Sequence, residues 1–211
     1  GCFEPYGLSD HQITFPMGRE QALECVMAGL SGNELLVSTT GMLSRELYEY
    51  RTINNQGHDQ DFLTVGGMGH ASSIAMGLAI AQPSRKIVCL DGDGSLLMHM
   101  GTMPVVGQSG EKNLTHIVFN NGAHDSVGGQ PTVAFEIKLN NIAKACGYKV
   151  VLSVDTMPEL SSIFSKLMKT NGPSFLEINV KKGARTELGR PQSLPKENKE
   201  FFMNHLGLND C

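Results

Sequence analysis

The chain has 211 residues, of which 40% are hydrophobic, 18% charged and 6% aromatic, with 24 glycines. At roughly 150 residues per domain this length predicts one globular domain or two small ones, and the composition excludes fibrous, collagen-like and disordered proteins. The formal net charge is −4, and no basic run is longer than Lys181-Lys182. Nucleic-acid binding is therefore not expected.

The cysteines indicate a reducing compartment. They are five in number, widely spaced and without a C-x-x-C pair or a cluster of histidines, so neither a disulfide framework nor a structural zinc site is predicted. No stretch approaches the ~18 uninterrupted apolar residues of a membrane helix, and the start lacks the order of a signal peptide. We therefore expect a cytoplasmic chain with no membrane contact. The absent initiating Met suggests a processed chain or a domain from a longer polypeptide.

Short apolar runs alternate with segments of helical period from Arg19 onward, an order typical of βαβ units around a parallel sheet. Apolar residues at three- and four-residue spacing predict the helices. The central strands are apolar almost throughout, as expected of strands covered on both faces. The predicted fold is an α/β, doubly wound six-stranded parallel sheet with helices on both faces. In chain order the expected elements are helix 19–30, strand 34–39, helix 42–50, strand 62–65, helix 71–81, strand 86–91, helix 95–108, strand 114–120, helix 139–146, strand 149–153, helix 158–169 and strand 174–180.

The two ends of the chain lack the alternating residue pattern of this middle part. Residues 1–17 show no period and are interpreted as a linker, and residues 18–180 are predicted to form the domain. Residues 181–211 begin with several glycines and prolines and continue with an amphipathic stretch at 196–206. This predicts an excursion after the last strand that ends in a short helix.

Two polar clusters at the ends of neighbouring predicted strands carry the chemistry. Asp91-Gly92-Asp93-Gly94-Ser95 ends one strand, and Asn120-Asn121-Gly122 ends the next, with 25 residues between Gly94 and Asn120. Open α/β sheets bind ligands at these carboxyl ends. Gly92 and Gly94 allow a ligand close to the backbone, and the helix start after Ser95 offers free amides to an anion.

Asp93 and Asn121 are oxygen donors suited to Mg²⁺. This ion takes only one or two carboxylates and completes its shell with phosphate, carbonyl and water oxygens. The two clusters therefore predict a diphosphate held through Mg²⁺.

Other nucleotide and metal motifs fail on spacing. A Ca²⁺ loop starting at Asp91 needs Gly at its sixth position and Glu at its twelfth, where the chain has Leu96 and Thr102. No Gly-Lys-Ser/Thr follows to make a P-loop, and Leu97 stands where a dinucleotide fingerprint needs its third glycine. A plain glycine-rich turn is the remaining alternative, and the Asn pair argues against it.

Gly92-Asp93-Gly94-Ser95 with Asn120-Asn121 at this spacing resembles the diphosphate motif of thiamine diphosphate (ThDP) enzymes. The resemblance implies ThDP and Mg²⁺ as cofactors, with Asp93, Asn121 and the carbonyl of Ala123 as metal ligands. It also implies that Gly92, Gly94 and Ser95 contact the cofactor.

A second segment, Gly66-Gly67-Met68-Gly69-His70, is similar to the one that precedes an alanine-rich helix in this family. The match implies that the Gly66 carbonyl holds the 4′-amino group and that Met68 bends the cofactor into its V shape. Gly41, after the first strand, is expected to meet the diphosphate or a partner.

Within this family the chain is most similar to the phosphonopyruvate decarboxylases, and the sulfopyruvate decarboxylase β chains share much of the pattern. The similarity covers most of residues 17–206, including Ser38–Leu47, Val65–Ser72, 121–130 and Leu188-Gly189-Arg190-Pro191. It implies conversion of 3-phosphonopyruvate to phosphonoacetaldehyde and CO₂. ThDP decarboxylases also need a second domain that binds the aminopyrimidine, and this chain is long enough for only one of the two domains. Alone it is expected to be nearly inactive and to form at least a homodimer.

Cationic or donor groups must receive the anionic substrate. His124 and His70 are the candidate catalytic residues, with Ser126 and Gln130 as neutral donors. Consecutive residues cannot form a catalytic triad, so His124-Asp125-Ser126 does not predict a hydrolase.

Three functions stay open on sequence alone. They are a phosphonopyruvate decarboxylase domain, the β subunit of a two-chain sulfopyruvate decarboxylase, and a non-catalytic Mg²⁺- and diphosphate-binding module.

Overall fold

The computed structural model describes residues 14–208, so most of the predicted linker and the last three residues, with Cys2 and Cys211, lie outside the described residues. The helices are α1 (Arg19–Ala28), α2 (Met42–Ile53), α3 (Ala71–Ala81), α4 (Asp93–Met98), α5 (Thr102–Gln108), α6 (Leu139–Cys146), α7 (Met157–Leu167) and α8 (Pro195–His205). The strands are β1 (Leu35–Ser38), β2 (Asp61–Leu63), β3 (Ile87–Gly92), β4 (Leu114–Asn120), β5 (Ala123–His124), β6 (Gln130–Pro131), β7 (Val150–Val154) and β8 (Ser174–Asn179).

The main sheet of the described residues has six strands in the order β2-β1-β3-β4-β8-β7, and every neighbouring pair is parallel. The predicted doubly wound α/β fold is confirmed. The chain leaves β1 for β2 on one side and then places β3 on the other side. The strand order therefore reverses between β1 and β3, which is where open parallel sheets bind ligands.

Helices cover both faces of the sheet, and each face has its own core. On one face α1, α2 and α7 bury Leu23, Leu47 and Phe164 against the strands. On the other face α3, α5 and α6 pack with α8, and Ala71, Ala75 and Ala79 form a buried stripe along α3. Small side chains at four-residue spacing let this helix lie close to the sheet, as its composition indicates.

The helix expected over 95–108 is instead two helices, α4 and α5, and this prediction is wrong. Pro104 explains the break, because its ring would clash with the carbonyl of Met100 inside a continuous helix. The chain leaves helical geometry at His99, with φ −133° and ψ 42°, and Pro104 then falls in the first turn of α5. Proline is tolerated at that position.

A small hairpin follows β4 and was not predicted from the sequence. Its two-residue strands β5 and β6 pair antiparallel around a short 3₁₀ turn at Asp125–Val127. The Thr132 amide donates to the Gly122 carbonyl at 2.8 Å, which closes the base. Strands this short carry no readable periodicity, so the sequence gives no signal for them.

The segment after β8 lies against its own chain. Lys181 forms a parallel bridge with Gly18, and its amide donates to the Met17 carbonyl at 2.9 Å. Further on, α8 covers the edge strand β2, where Asn198 accepts from the Leu63 amide and donates to the Asp61 carbonyl. None of the helices within residues 14–208 has the length and apolar character needed to cross a membrane.

Candidate cofactor and metal site

A cleft with about 440 Å³ of empty space lies at the carboxyl ends of β1, β3 and β4. Three connecting segments form most of its wall, namely those that follow each of these strands. The lining residues are Arg19, Thr39, Thr40, Met42, Leu43, Met68, Gly92, Asp93, Gly94, Ser95, Phe119, Asn121, Ala123, His124, Asp125 and Ser126. The two polar clusters identified in the sequence therefore meet in one cavity.

Asp93 is a buried carboxylate that faces this cleft. The residue is 2% exposed, and its carboxylate accepts two hydrogen bonds, from Thr132 Oγ1 at 2.5 Å and from the Asn121 backbone amide at 3.4 Å. Both donors are neutral, and no described residue forms an ion pair with it. Burial raises the pKa of Asp93 from 3.8 to about 6, because these donors offset only part of the desolvation.

The two asparagines at the end of β4 have different contacts. Asn120 holds the turn, donating to Glu177 Oε1 at 2.8 Å and accepting from the Gly122 amide at 3.1 Å. Asn121 turns into the cleft, where its Nδ2 donates to Asp125 Oδ2 at 2.7 Å and its Oδ1 accepts from the Ala123 amide at 3.1 Å. Only the second residue of the pair is positioned to meet a ligand.

Ser95 joins three of the segments around the cleft. Its hydroxyl lies 2.7 Å from Thr39 Oγ1 and accepts from the Gly69 amide at 3.0 Å. The second bond ties the 66–69 loop to the start of α4 and brings Met68 to the cleft wall. His99 Nδ1 lies 3.1 Å from the Met68 carbonyl oxygen and supports the same loop.

The predicted catalytic residues His124 and His70, the predicted substrate donors Ser126 and Gln130, and the predicted cofactor contact Gly66 divide into two groups. His124 and Ser126 line the cleft, and a methyl group at Gly94 would overlap the His124 ring. Gly66, His70 and Gln130 are exposed and not part of its lining. Their assigned roles stay predictions.

Gly41 is also outside the lining but close to it. It precedes α2 with φ 109°, and a Cβ there would lie 3.2 Å from Ser126 Oγ.

Sequence reasoning missed several residues that form the site. Arg19 and Asp125 line the cleft, and Thr132 bonds to Asp93 across it. Arg19 lies 106 positions from Asp125 along the chain, so no local pattern joins them. Thr39 and Thr40 had a readable signal, because small polar residues directly follow a buried strand.

Asp91 belongs to the same motif as Asp93, but its contacts lie within the interior of the sheet. Its Oδ1 accepts from the Gly92 amide at 2.9 Å and its Oδ2 lies 3.3 Å from His116 Nε2. His116 Nδ1 in turn lies 3.0 Å from the Tyr148 hydroxyl. This fully buried chain of side chains fixes the end of β3 from behind the cleft.

The donor set fits a hard divalent cation and a phosphate group. Asp93 and Asn121 offer carboxylate and amide oxygens, whereas a soft metal would be favoured by thiolates. A buried carboxylate without a cationic partner is costly, and a divalent ion would compensate it. No neighbouring atom would lie within 4 Å of a Cβ at Gly92, so the backbone there is open to a ligand.

The model of the "Thiamine pyrophosphate enzyme, C-terminal TPP binding domain" matches residues 39–178. Phosphonopyruvate decarboxylase from Streptomyces viridochromogenes is 40% identical over 179 residues, which are 85% of this chain and 44% of that protein. Sulfopyruvate decarboxylase subunit beta from Methanothermobacter thermautotrophicus is 34% identical over 165 residues, covering 78% of this chain and 83% of the subunit.

Among solved structures, benzoylformate decarboxylase from Polynucleobacter necessarius matches with a TM-score of 0.69 and 19% identity, covering 84% of this chain and 36% of that one. At this identity the likeness concerns the fold. The chain spans less than half the length of the phosphonopyruvate decarboxylases it matches. The family resemblance drawn from the motifs is confirmed: the chain belongs to the thiamine pyrophosphate enzymes, in their C-terminal TPP-binding domain.

Proposed function

We propose that this chain is the diphosphate- and Mg²⁺-binding domain of a ThDP-dependent 2-oxoacid decarboxylase that converts 3-phosphonopyruvate to phosphonoacetaldehyde and CO₂. The observation that carries the proposal is the buried Asp93 carboxylate, which faces the cleft beside Asn121 and forms no ion pair with any residue of the described range 14–208. The substrate class rests on the 40% identity to phosphonopyruvate decarboxylase.

In this proposal Asp93, Asn121 and the Ala123 carbonyl hold Mg²⁺, and the backbone of Gly92, Gly94 and Ser95 lies along the diphosphate. Gly41 closes the diphosphate end of the cleft, the Gly66 carbonyl holds the 4′-amino group and Met68 supports the bent cofactor. ThDP, when bound, supplies the nucleophilic carbon and the electron sink that decarboxylation of a 2-oxoacid needs.

The chain's own polar groups receive the substrate. His124 and Ser126 line the cleft and offer hydrogen-bond donors to an anionic carboxylate or phosphonate. We assign His124 as the first candidate for proton transfer, and His70 as a second candidate that contacts substrate only when a partner closes over the cleft. Gln130, exposed on β6, is assigned to the same closed state.

A second, aminopyrimidine-binding domain completes the site, in the same polypeptide or as a separate α subunit. The relatives support this, since phosphonopyruvate decarboxylase is more than twice as long as the matched region and one sulfopyruvate decarboxylase relative is a beta subunit. We propose residues 18–180 as the cofactor-binding domain, because the bridge between Gly18 and Lys181 brings its two ends together. The chain is then inactive alone and works in a homo-oligomer.

We further propose a cytoplasmic location. The described cysteines Cys25, Cys89 and Cys146 are free thiols, which agrees with a reducing compartment.

Calorimetric titration of the chain with ThDP, in Mg²⁺ and in EDTA, tests the cofactor site. Mg²⁺-dependent binding is expected for the natural sequence and should be lost in Asp93→Ala. Asp59→Ala is the matched control, since Asp59 is half exposed and its contact is a surface pair with His205. Equal Mg²⁺-dependent binding by Asp93→Ala would remove the proposed ligand set.

An activity assay decides the substrate. The chain, supplied with its completing domain, is given phosphonopyruvate, sulfopyruvate and pyruvate side by side, and we expect phosphonopyruvate to be turned over best. Preference for sulfopyruvate would favour the second candidate, a sulfopyruvate decarboxylase β subunit, which the 83% coverage of that relative supports. Binding of ThDP without turnover of any 2-oxoacid would favour a non-catalytic module.

A further inference from the structure

We propose that Asp125 is a positioning residue that orients the Asn121 amide so that its oxygen faces the metal. This inference rests on the proposed function. The Asp125 side chain is 7% exposed, and its Oδ2 accepts three hydrogen bonds. The donors are Asn121 Nδ2 at 2.7 Å, an Arg19 nitrogen at 3.0 Å and the Gly183 amide at 3.0 Å.

The hydrogen bonds around Asn121 determine which end of its amide is which. An ionised carboxylate only accepts, so the atom that faces Asp125 must be the NH₂ group. A backbone amide only donates, so the atom that faces the Ala123 amide, at 3.1 Å, must be the oxygen. The two neighbours agree, and the carbonyl oxygen retains a second lone pair for a cation.

Asp125 is itself held by parts of the chain that are distant in sequence. Arg19, the first residue of α1, also binds both carboxylate oxygens of Glu46 on α2, each at 2.9 Å from a guanidinium nitrogen. The pair is buried, with side-chain exposures of 7% and 2%. Gly183 comes from the segment after β8, and the neighbouring Lys182 donates to the Gly129 carbonyl at 2.6 Å in the hairpin. The hairpin that carries Asp125 is therefore fastened from two sides.

An amide that serves as a metal ligand must be held in one orientation, whereas a carboxylate ligand need not be. Asn presents one metal-binding oxygen and one NH₂ group that repels a cation, so a reversed amide removes a ligand. Either oxygen of an aspartate at 121 would serve. The effect of removing Asp125 must therefore depend on which residue stands at 121.

A double-mutant cycle on the 211-residue chain tests this. Mn²⁺, which takes the same oxygen ligands as Mg²⁺, is titrated in the presence of saturating ThDP, and free Mn²⁺ is read from its EPR signal. Loss of an outer partner of a metal ligand typically costs about 10–100-fold in metal affinity, and this is the expected effect of Asp125→Ala. In the Asn121→Asp background the same change should cost less than about twofold, or even tighten binding, since a like charge is removed.

Asp125→Asn is the conservative control, because its amide oxygen can still accept from Asn121. It should retain most of the affinity that Asp125→Ala loses. Thermal unfolding in EDTA checks that each variant is folded. Equal losses of affinity in both backgrounds would show a purely structural role or direct ligation by Asp125, and either overturns the inference. Absence of any ThDP-dependent Mn²⁺ uptake by the natural sequence would instead overturn the proposed function.

Discussion

Two buried aspartates, one at the start of β2 and one after the end of β3, show how a structural carboxylate differs from a candidate ligand. Asp61 begins the edge strand β2 and receives two hydrogen bonds from Arg51, at 2.9 and 2.8 Å. Asp93 follows β3 and receives hydrogen bonds from two neutral groups, the Thr132 hydroxyl and the Asn121 backbone amide. Both side chains are about equally buried, at 1% and 2% exposure for the whole residue.

The two aspartates differ in whether a cationic side chain of the protein is paired with them. Burial raises the pKa of Asp61, and the bonds from Arg51 act in the opposite direction within the protein itself. At Asp93 no described side chain forms an ion pair, and the carboxylate faces the open cleft, where a bound cation can reach it. A buried carboxylate whose partner belongs to the chain is structural, and one that faces empty space is a candidate ligand.

The largest effect on stability is expected from breaking the ion pair between Arg51 and Asp61. Arg51→Met leaves Asp61 buried without its cation, and such a loss typically costs about 3–5 kcal/mol in the free energy of unfolding. Urea denaturation followed by circular dichroism measures it, since the chain has no tryptophan. Arg51→Lys keeps the charge but not the paired geometry and should lose less. Unchanged stability of Arg51→Met would mean that Asp61 is not held by this pair.

The opposite sign is expected at the cleft, where Asp93→Asn should stabilise the metal-free chain. Because the folded pKa of about 6 lies above the usual 3.8, the folded state holds its proton longer than the unfolded state. The free energy of unfolding of the natural sequence should therefore fall as the pH rises from about 4 to about 6, by on the order of 2 kcal/mol.

Urea denaturation in EDTA from pH 4 to 7.5 measures this fall. Asp93→Asn lacks this contribution, so it should be more stable than the natural sequence at pH 7.5 and about equal to it near pH 4. In ThDP and Mg²⁺ the order should reverse, because only the natural sequence binds. A destabilised Asp93→Asn at pH 7.5 in EDTA would contradict the comparison.

A smaller effect is expected from Ser95→Ala, which loosens the cleft wall. The change leaves the buried Gly69 amide without its acceptor, a loss of about 1–2 kcal/mol. Hydrogen exchange of the Gly69 amide should become faster, and the free energy of opening calculated from it should fall by a comparable amount. Ser73→Ala on α3 is the matched control, since no hydrogen bond of the Ser73 side chain occurs within residues 14–208. Unchanged protection of Gly69 in Ser95→Ala would mean that the loop is held by other contacts.

Local sequence patterns were enough to predict most strands of the sheet. They failed for elements whose structure depends on contacts between distant parts of the chain. The strand at 114–120 was predicted with the bounds of β4, because an uninterrupted apolar run is unambiguous. The break between α4 and α5 had a signal in Pro104, but apolar spacing across it outweighed the proline. The β5–β6 hairpin had none, since its two-residue strands depend on pairing.

The amino-acid sequence by itself determined the parallel α/β fold, the family and the two clusters that contain Asp93 and Asn121, because these are encoded by short-range periodicity and by spacing along the chain. Only the tertiary structure decided which groups surround those clusters. Arg19, Thr132 and Gly183 come from separate elements, and hydrogen bonds of about 3 Å between them form only after the sheet has brought those elements together. The orientation of a single amide in the cleft thus depends on the whole fold.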